Sequence, residues 1–105
     1  MRYDLEYLPI AKKDLRNAAM YIAHDLQAPM AAANLMRKIR KKADALRKTP
    51  YMYREYYGEP DSETAYRAMP VNNYLVFYVV NEDNTTVEVH RVLYVRMDID
   101  TLLKR

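Results

Sequence analysis

The chain has 105 residues, 17 lysines and arginines against 14 acids for a net charge of +3, and half of its residues are hydrophobic. That suffices for one domain, residues 1–105, with a single modest core. The lack of cysteine excludes disulfides and thiolate metal sites, no apolar run is long enough to span a membrane, and the N-terminus MRYDLEYLP is too polar for a signal peptide, so a cytoplasmic protein is expected.

Arg2 to Leu8 reads as a short strand, with Tyr3, Leu5 and Tyr7 alternating against Arg2, Asp4 and Glu6. Pro9 then opens a helix running to about His24, because a first-turn N–H has no partner to lose. Ala11, Leu15, Ala18 and Ile22 form one apolar face of it. Asp25 to Ala28 is a short connector, and Pro29 opens a second helix that runs to about Lys48 and is stopped by Thr49-Pro50. Its apolar stripe is Ala32, Leu35, Ile39, Ala43 and Leu46. So short a connector predicts an antiparallel helical hairpin. The segment Tyr51 to Glu63 follows neither period. Gly58, Pro60, Asp61 and Ser62 mark it as loop, and its four tyrosines predict packing onto the body, contact with a partner, or both.

Three strands follow: Thr64 to Met69, ended by Pro70; Asn73 to Val80; and Thr85 to Val95. Asn81-Glu82-Asp83-Asn84 joins the last two as a hairpin. The expected fold is α+β: a two-helix antiparallel hairpin on a mainly antiparallel four-stranded sheet, in the order β-α-α-β-β-β, with a short C-terminal helical turn. The middle hairpin strand is apolar on both faces, with Tyr74, Val76, Tyr78 and Val80 on one and Leu75, Phe77 and Val79 on the other. The helices cover one face. The C-terminal tail, a partner, or both must cover the other, which makes Leu75, Phe77 and Val79 the expected partner surface.

From Arg37 to Lys48 there are seven basic residues and one acid, Asp44. Arg37, Lys38, Lys41 and Lys42 are candidates for RNA contact. A solvated helix end that complements the helix dipole accounts for the same residues. No glycine-rich phosphate loop, zinc-helix motif or cysteine pair is present, and no cofactor or metal is expected. The candidate chemistry lies on the strands flanking the apolar one: Arg67, His90, Arg91, Tyr94 and Arg96. Metal-free RNA cleavage needs a base for the 2′-hydroxyl, fixed cations for the phosphorane and an acid for the leaving oxygen. Arginine, histidine and tyrosine supply those groups. Equally, Arg67 and Arg91 fit structural ion pairs with acids such as Glu88, and Tyr94 fits the core.

YRAMPVNNYLVFYVV followed by VEVHRVLYVRMDIDTLL resembles the C-terminal half of RelE/ParE-superfamily toxins, the plasmid stabilisation proteins. The N-terminal half is similar too: a strand, A-x-x-DL at Ala11 to Leu15, Tyr21-Ile22, a proline-started second helix, and L-x-x-x-P at Leu46 to Pro50. The resemblance implies the toxin of a type II toxin–antitoxin system. Its partners would be a cognate antitoxin and, as target, either the ribosome with its mRNA or DNA gyrase. RelE-like members cut mRNA in the ribosomal A site without a metal. Such ribosome-dependent cleavage, an endoribonuclease activity that would arrest growth, is the leading expectation for this chain. Two alternatives stand beside it: ParE-like members inhibit gyrase, and an inactive relative would act only with its antitoxin in operon repression. Arg67 falls in the family's Tyr-Arg strand motif, and Tyr94 and Arg96 fall where many members carry a histidine or similar residue and then an arginine. The sequence departs from the mRNA-cleaving pattern at Asn73-Tyr74-Leu75, where those relatives place an arginine.

Overall fold

Pro9 and Pro29 each open a helix, as their first-turn positions require. The computed structural model describes residues 2–56 and 65–103. Its elements are β1 (Asp4–Tyr7), α1 (Pro9–Met20), a π-helical turn (Tyr21–Asp25), α2 (Pro29–Ala45), β2 (Arg67–Val71), β3 (Tyr74–Asn81), β4 (Thr86–Tyr94) and α3 (Ile99–Leu103). The strands form one sheet in the order β1-β4-β3-β2. β1 runs parallel to β4 and the other pairs are antiparallel, so the α+β arrangement is the one expected.

The apolar stripes meet the sheet where their spacing places them. Ala11 of α1 and Leu35, Ile39, Ala43 and Leu46 from the α2 segment bury against Met69, Val71, Val76, Tyr78, Val87, Val89 and Val92. The phenol of Tyr78 satisfies itself inside this core by donating to the carbonyl of Pro50 at 2.8 Å.

One local expectation is corrected, at Pro70, and the ends of both helices are refined. The α-helical pattern of α1 stops at Met20, and the chain widens into i→i+5 bonds, with the Leu26 N–H donating to Tyr21 O at 3.1 Å. α2 ends at Ala45, and Leu46 to Lys48 close as i→i−3 turns. Pro70 does not end its strand but sits inside β2. β2 is an edge strand, and the Ala68 N–H points outward to Arg54 O. Two residues on, the Pro70 nitrogen points the same way, where it takes nothing from the ladder. The segment before β2 packs on that edge, with Glu55 bridging Arg67 and the Tyr56 N–H donating to Tyr66 O at 2.7 Å. Tyr57 to Thr64, including the loop markers Gly58 and Pro60 and the expected start of the strand at Thr64, lie outside the described residues.

The second face of β3 is covered from within the chain at its centre, while Leu75 and Val79 on either side are half-buried. Phe77 is fully buried, with the rings of Tyr56 and Tyr66 meeting it edge-on at 5.1 and 6.3 Å. Tyr56 in turn donates its hydroxyl to Asp100 of α3 at 2.8 Å. The expected partner surface Leu75–Phe77–Val79 is therefore not a continuous exposed face. Tyr56 and Tyr66 occupy its centre, over Phe77.

Candidate functional site

β1 ends at Tyr7, while β4 runs on to Tyr94 with no strand beyond β1 to pair it. Asp14 of α1 fills that gap. Its carboxylate accepts the Val92 N–H at 3.0 Å and a two-pronged bond from Arg91, with Nε at 2.8 Å and Nη2 at 3.1 Å. The third nitrogen of Arg91 donates to Leu102 O at 2.9 Å and so ties down α3. Both charged side chains are only 11% exposed. Arg91 is thus a staple between α1, β4 and α3.

Above this staple lies a groove of about 870 Å³ between the C-terminal end of α1, the start of α2, the β2–β3 turn and the end of β4. Ala18, Ile22 and Leu35 line its helical wall, and Tyr74, Leu93 and Tyr94 its sheet wall. Tyr21, Leu26 and Met97 also line it and are each about half exposed (52%, 55% and 49%). The rim of the groove thus exposes apolar side chains around a concave surface. The π-helical turn and the left-handed Gln27 (φ 51°) shape this rim, a backbone feature that the α-helical period does not announce.

The five residues expected to carry chemistry do not converge. Arg67 lies on β2 opposite the core residue Tyr78 and is fully engaged. It donates to Tyr53 O at 2.7 Å, pairs with Glu55 at 3.6 Å and stacks 4.8 Å over the Tyr51 ring. His90 lies on the other face of the sheet, edge-on to Tyr66 and 3.1 Å from Glu88. The amide of Asn81, then His90, hold the Glu88 carboxyl below its ordinary pKa. Arg91 is committed to Asp14. Tyr94 lines the groove and leans on Tyr74 with ring centroids 5.5 Å apart. Arg96 is exposed in the turn after β4, with no side-chain partner among the described residues. On α2, Arg37, Lys38 and Lys41 are exposed and Lys42 is half-buried. Lys38 reaches across to the Asn72 side chain at 2.8 Å.

Two features escape sequence reading. Asp14 enters the sequence reading only within the A-x-x-DL motif at Ala11 to Leu15, with nothing there to pair it with Arg91. At the other end of the sheet, Glu82 in the β3–β4 loop accepts the hydroxyls of Tyr3 (2.8 Å) and Tyr51. These phenol bonds lower the Glu82 carboxyl, and the same carboxylate pushes Tyr51 up to about 12. The partners lie 79 and 31 residues apart, so no local pattern joins them. Among the described residues no group of three or more His, Cys, Asp or Glu could hold a metal ion, and no helix is long and apolar enough to cross a membrane.

The fold is shared with solved toxins. A chromosomal ParDE toxin–antitoxin system from P. aeruginosa superposes with a TM-score of 0.72 at 14% identity, over 90% of this chain and 98% of that one. The isolated E. coli RelE toxin gives 0.60 at 17% identity, over 97% and 95% of the two chains. The RelBE2 toxin–antitoxin complex from Mycobacterium tuberculosis gives 0.60 at 18%, over 90% and 99%. Among curated proteins none matches the chain significantly by sequence. The family model described as the ParE toxin of the type II toxin–antitoxin system parDE matches residues 5–99, nearly the whole chain. The chain belongs to the ParE toxin family of the RelE/ParE superfamily.

Proposed function

We propose that this ParE-family toxin arrests growth by binding DNA gyrase, with no cleavage chemistry of its own. One observation carries the reading: the groups that metal-free RNA cleavage would need around a single phosphate are dispersed. Arg67 and His90 sit on opposite sheet faces, and Arg91 is spent on Asp14. A phosphorane needs preorganised cations aimed at one point. The absent arginine at Asn73-Tyr74-Leu75 agrees.

The partner that restrains it is a cognate antitoxin. We place an apolar antitoxin segment in the groove lined by Tyr21, Leu26 and Met97, because that rim exposes the apolar surface a partner would bury. Tyr21→Asp and Leu26→Asp should weaken the complex at least tenfold while leaving the toxin folded. Unchanged affinity in both variants would remove the groove as the docking site.

A second reading keeps the ribosome as target. Tyr94 and Arg96 lie two residues apart at the end of β4, and Arg96 is free of partners among the described residues. They would supply a proton and a cation, while Arg37, Lys38, Lys41 and Lys42 would grip ribosomal RNA through salt-sensitive contacts. Primer extension on a translated reporter decides between the two. Intact message is expected. New cuts that disappear in Arg96→Ala and Arg67→Ala would establish the nuclease.

A further inference from the structure

The charges of the chain are segregated. Residues 9–48, the helical hairpin, carry ten basic and three acidic residues, a net +7 in a chain whose total is only +3. The rest of the molecule is therefore net negative. Two of the hairpin's three acids are already paired, Asp14 with Arg91 and Asp44 with Arg47. The bases are not buried by the fold: Lys12, Lys13 and Arg16 on α1 and Arg37, Arg40 and Lys41 on α2 are all exposed. Because α1 and α2 run antiparallel, the start of α1 lies beside the end of α2. The basic residues thus gather at one end of the hairpin, and the apolar groove lies at the other, by the connector.

We propose that this outer face of the α1–α2 hairpin binds the phosphate backbone of duplex DNA. Three features select the ligand. The surface is a layer of regular helix with fixed cations, suited to a regular polyanion. Neither helix contains an aromatic residue, so the face has no platform on which unpaired bases could stack, which argues against single strands. The cations of α2, Arg37, Lys38, Arg40, Lys41 and Lys42, fall within six residues, about 9 Å of regular helix at 1.5 Å per residue. B-form DNA opens a groove and flanking phosphates to such a helix, whereas the deep, narrow major groove of A-form RNA does not. The contact is to backbone and carries no sequence preference. The inference stands on charge layout and is independent of how the toxin stops growth.

Fluorescence anisotropy of the purified toxin with a short labelled duplex of mixed sequence tests it. Salt-sensitive binding is expected, with duplex DNA preferred over a single strand and over duplex RNA. Arg37→Gln, Arg40→Gln and Lys41→Gln combined should lower the slope of log K against log salt by about 2 to 3, since each lost phosphate contact removes about 0.9. Glutamine keeps helix propensity close to that of lysine and arginine, and circular dichroism confirms that the variant is folded. Gyrase inhibition measured on the same variant reports separately on the toxin's action. No binding at low salt, an unchanged slope in the triple variant, or preference for RNA or single strands would each overturn the proposal.

Discussion

The Asp14–Arg91 staple predicts a large effect at a position that sequence alone would treat as a surface acid on a helix. Asp14→Ala removes the carboxylate that takes two bonds from Arg91 and one from the Val92 N–H. It leaves a guanidinium only 11% exposed with a single remaining acceptor, Leu102 O, and a strand amide without a partner. Breaking a buried pair from one side costs about 3–5 kcal/mol, and residual water access places this case near the lower figure, about 3 kcal/mol. Against a domain stability of about 5–15 kcal/mol that is a large fraction. In urea, with a slope of about 1.5 kcal/mol/M for a chain of this size, the midpoint should fall by about 2 M. Arg91→Met combined with Asp14→Ala should cost less than the two single changes added, with a coupling of about 2 kcal/mol. A loss below about 1 kcal/mol for Asp14→Ala, or simple additivity of the pair, would refute the staple.

Phe77→Ala should destabilise by about 3–5 kcal/mol in the same urea titration, as a fully buried aromatic does; a cost below about 1 kcal/mol would mean that the tyrosine cover is not closed. Thr85 is β-branched yet sits at φ 51°, so Thr85→Asn should raise the urea-derived stability by about 0.5–1 kcal/mol. Glu82→Gln should bring the phenolate titration of Tyr51 down from about 12 toward its ordinary 10.0, followed by ultraviolet absorbance. The sign follows from linkage: the raised Tyr51 favours the fold below pH 10.0, and that contribution disappears as pH rises through about 12. The lowered Glu82 favours the fold above its ordinary 4.5, and that contribution disappears as pH falls through its lowered value.

The fold was largely legible because two periods and two prolines carry it. The stripes Ala11–Ala18 and Ala32–Leu46 bury where their spacing puts them, and the hairpin strands fall within a residue or two of expectation. Pro70 misled because a proline ends a strand only where its nitrogen would face a partner, and edge position is a property of the sheet. Phe77 is covered at the centre of its face by Tyr56, on a segment with no period of its own, and by Tyr66 at the entry to β2. The site was least legible. Arg67, His90 and Arg91 lie on the two strands flanking the apolar one, which suggests convergence, but a β-bulge at Phe77/Tyr78 shifts the β4 register and Asp14 claims Arg91 from 77 residues away. The groove depends on the π-helical turn and on Gln27, which no hydrophobic pattern encodes.

The most direct test of the account is a supercoiling assay with purified gyrase and increasing toxin, run beside a purified translation reaction containing the same toxin. The account predicts progressive loss of supercoiling with intact message. Unimpaired supercoiling together with ribosome-dependent cuts in the message would contradict it.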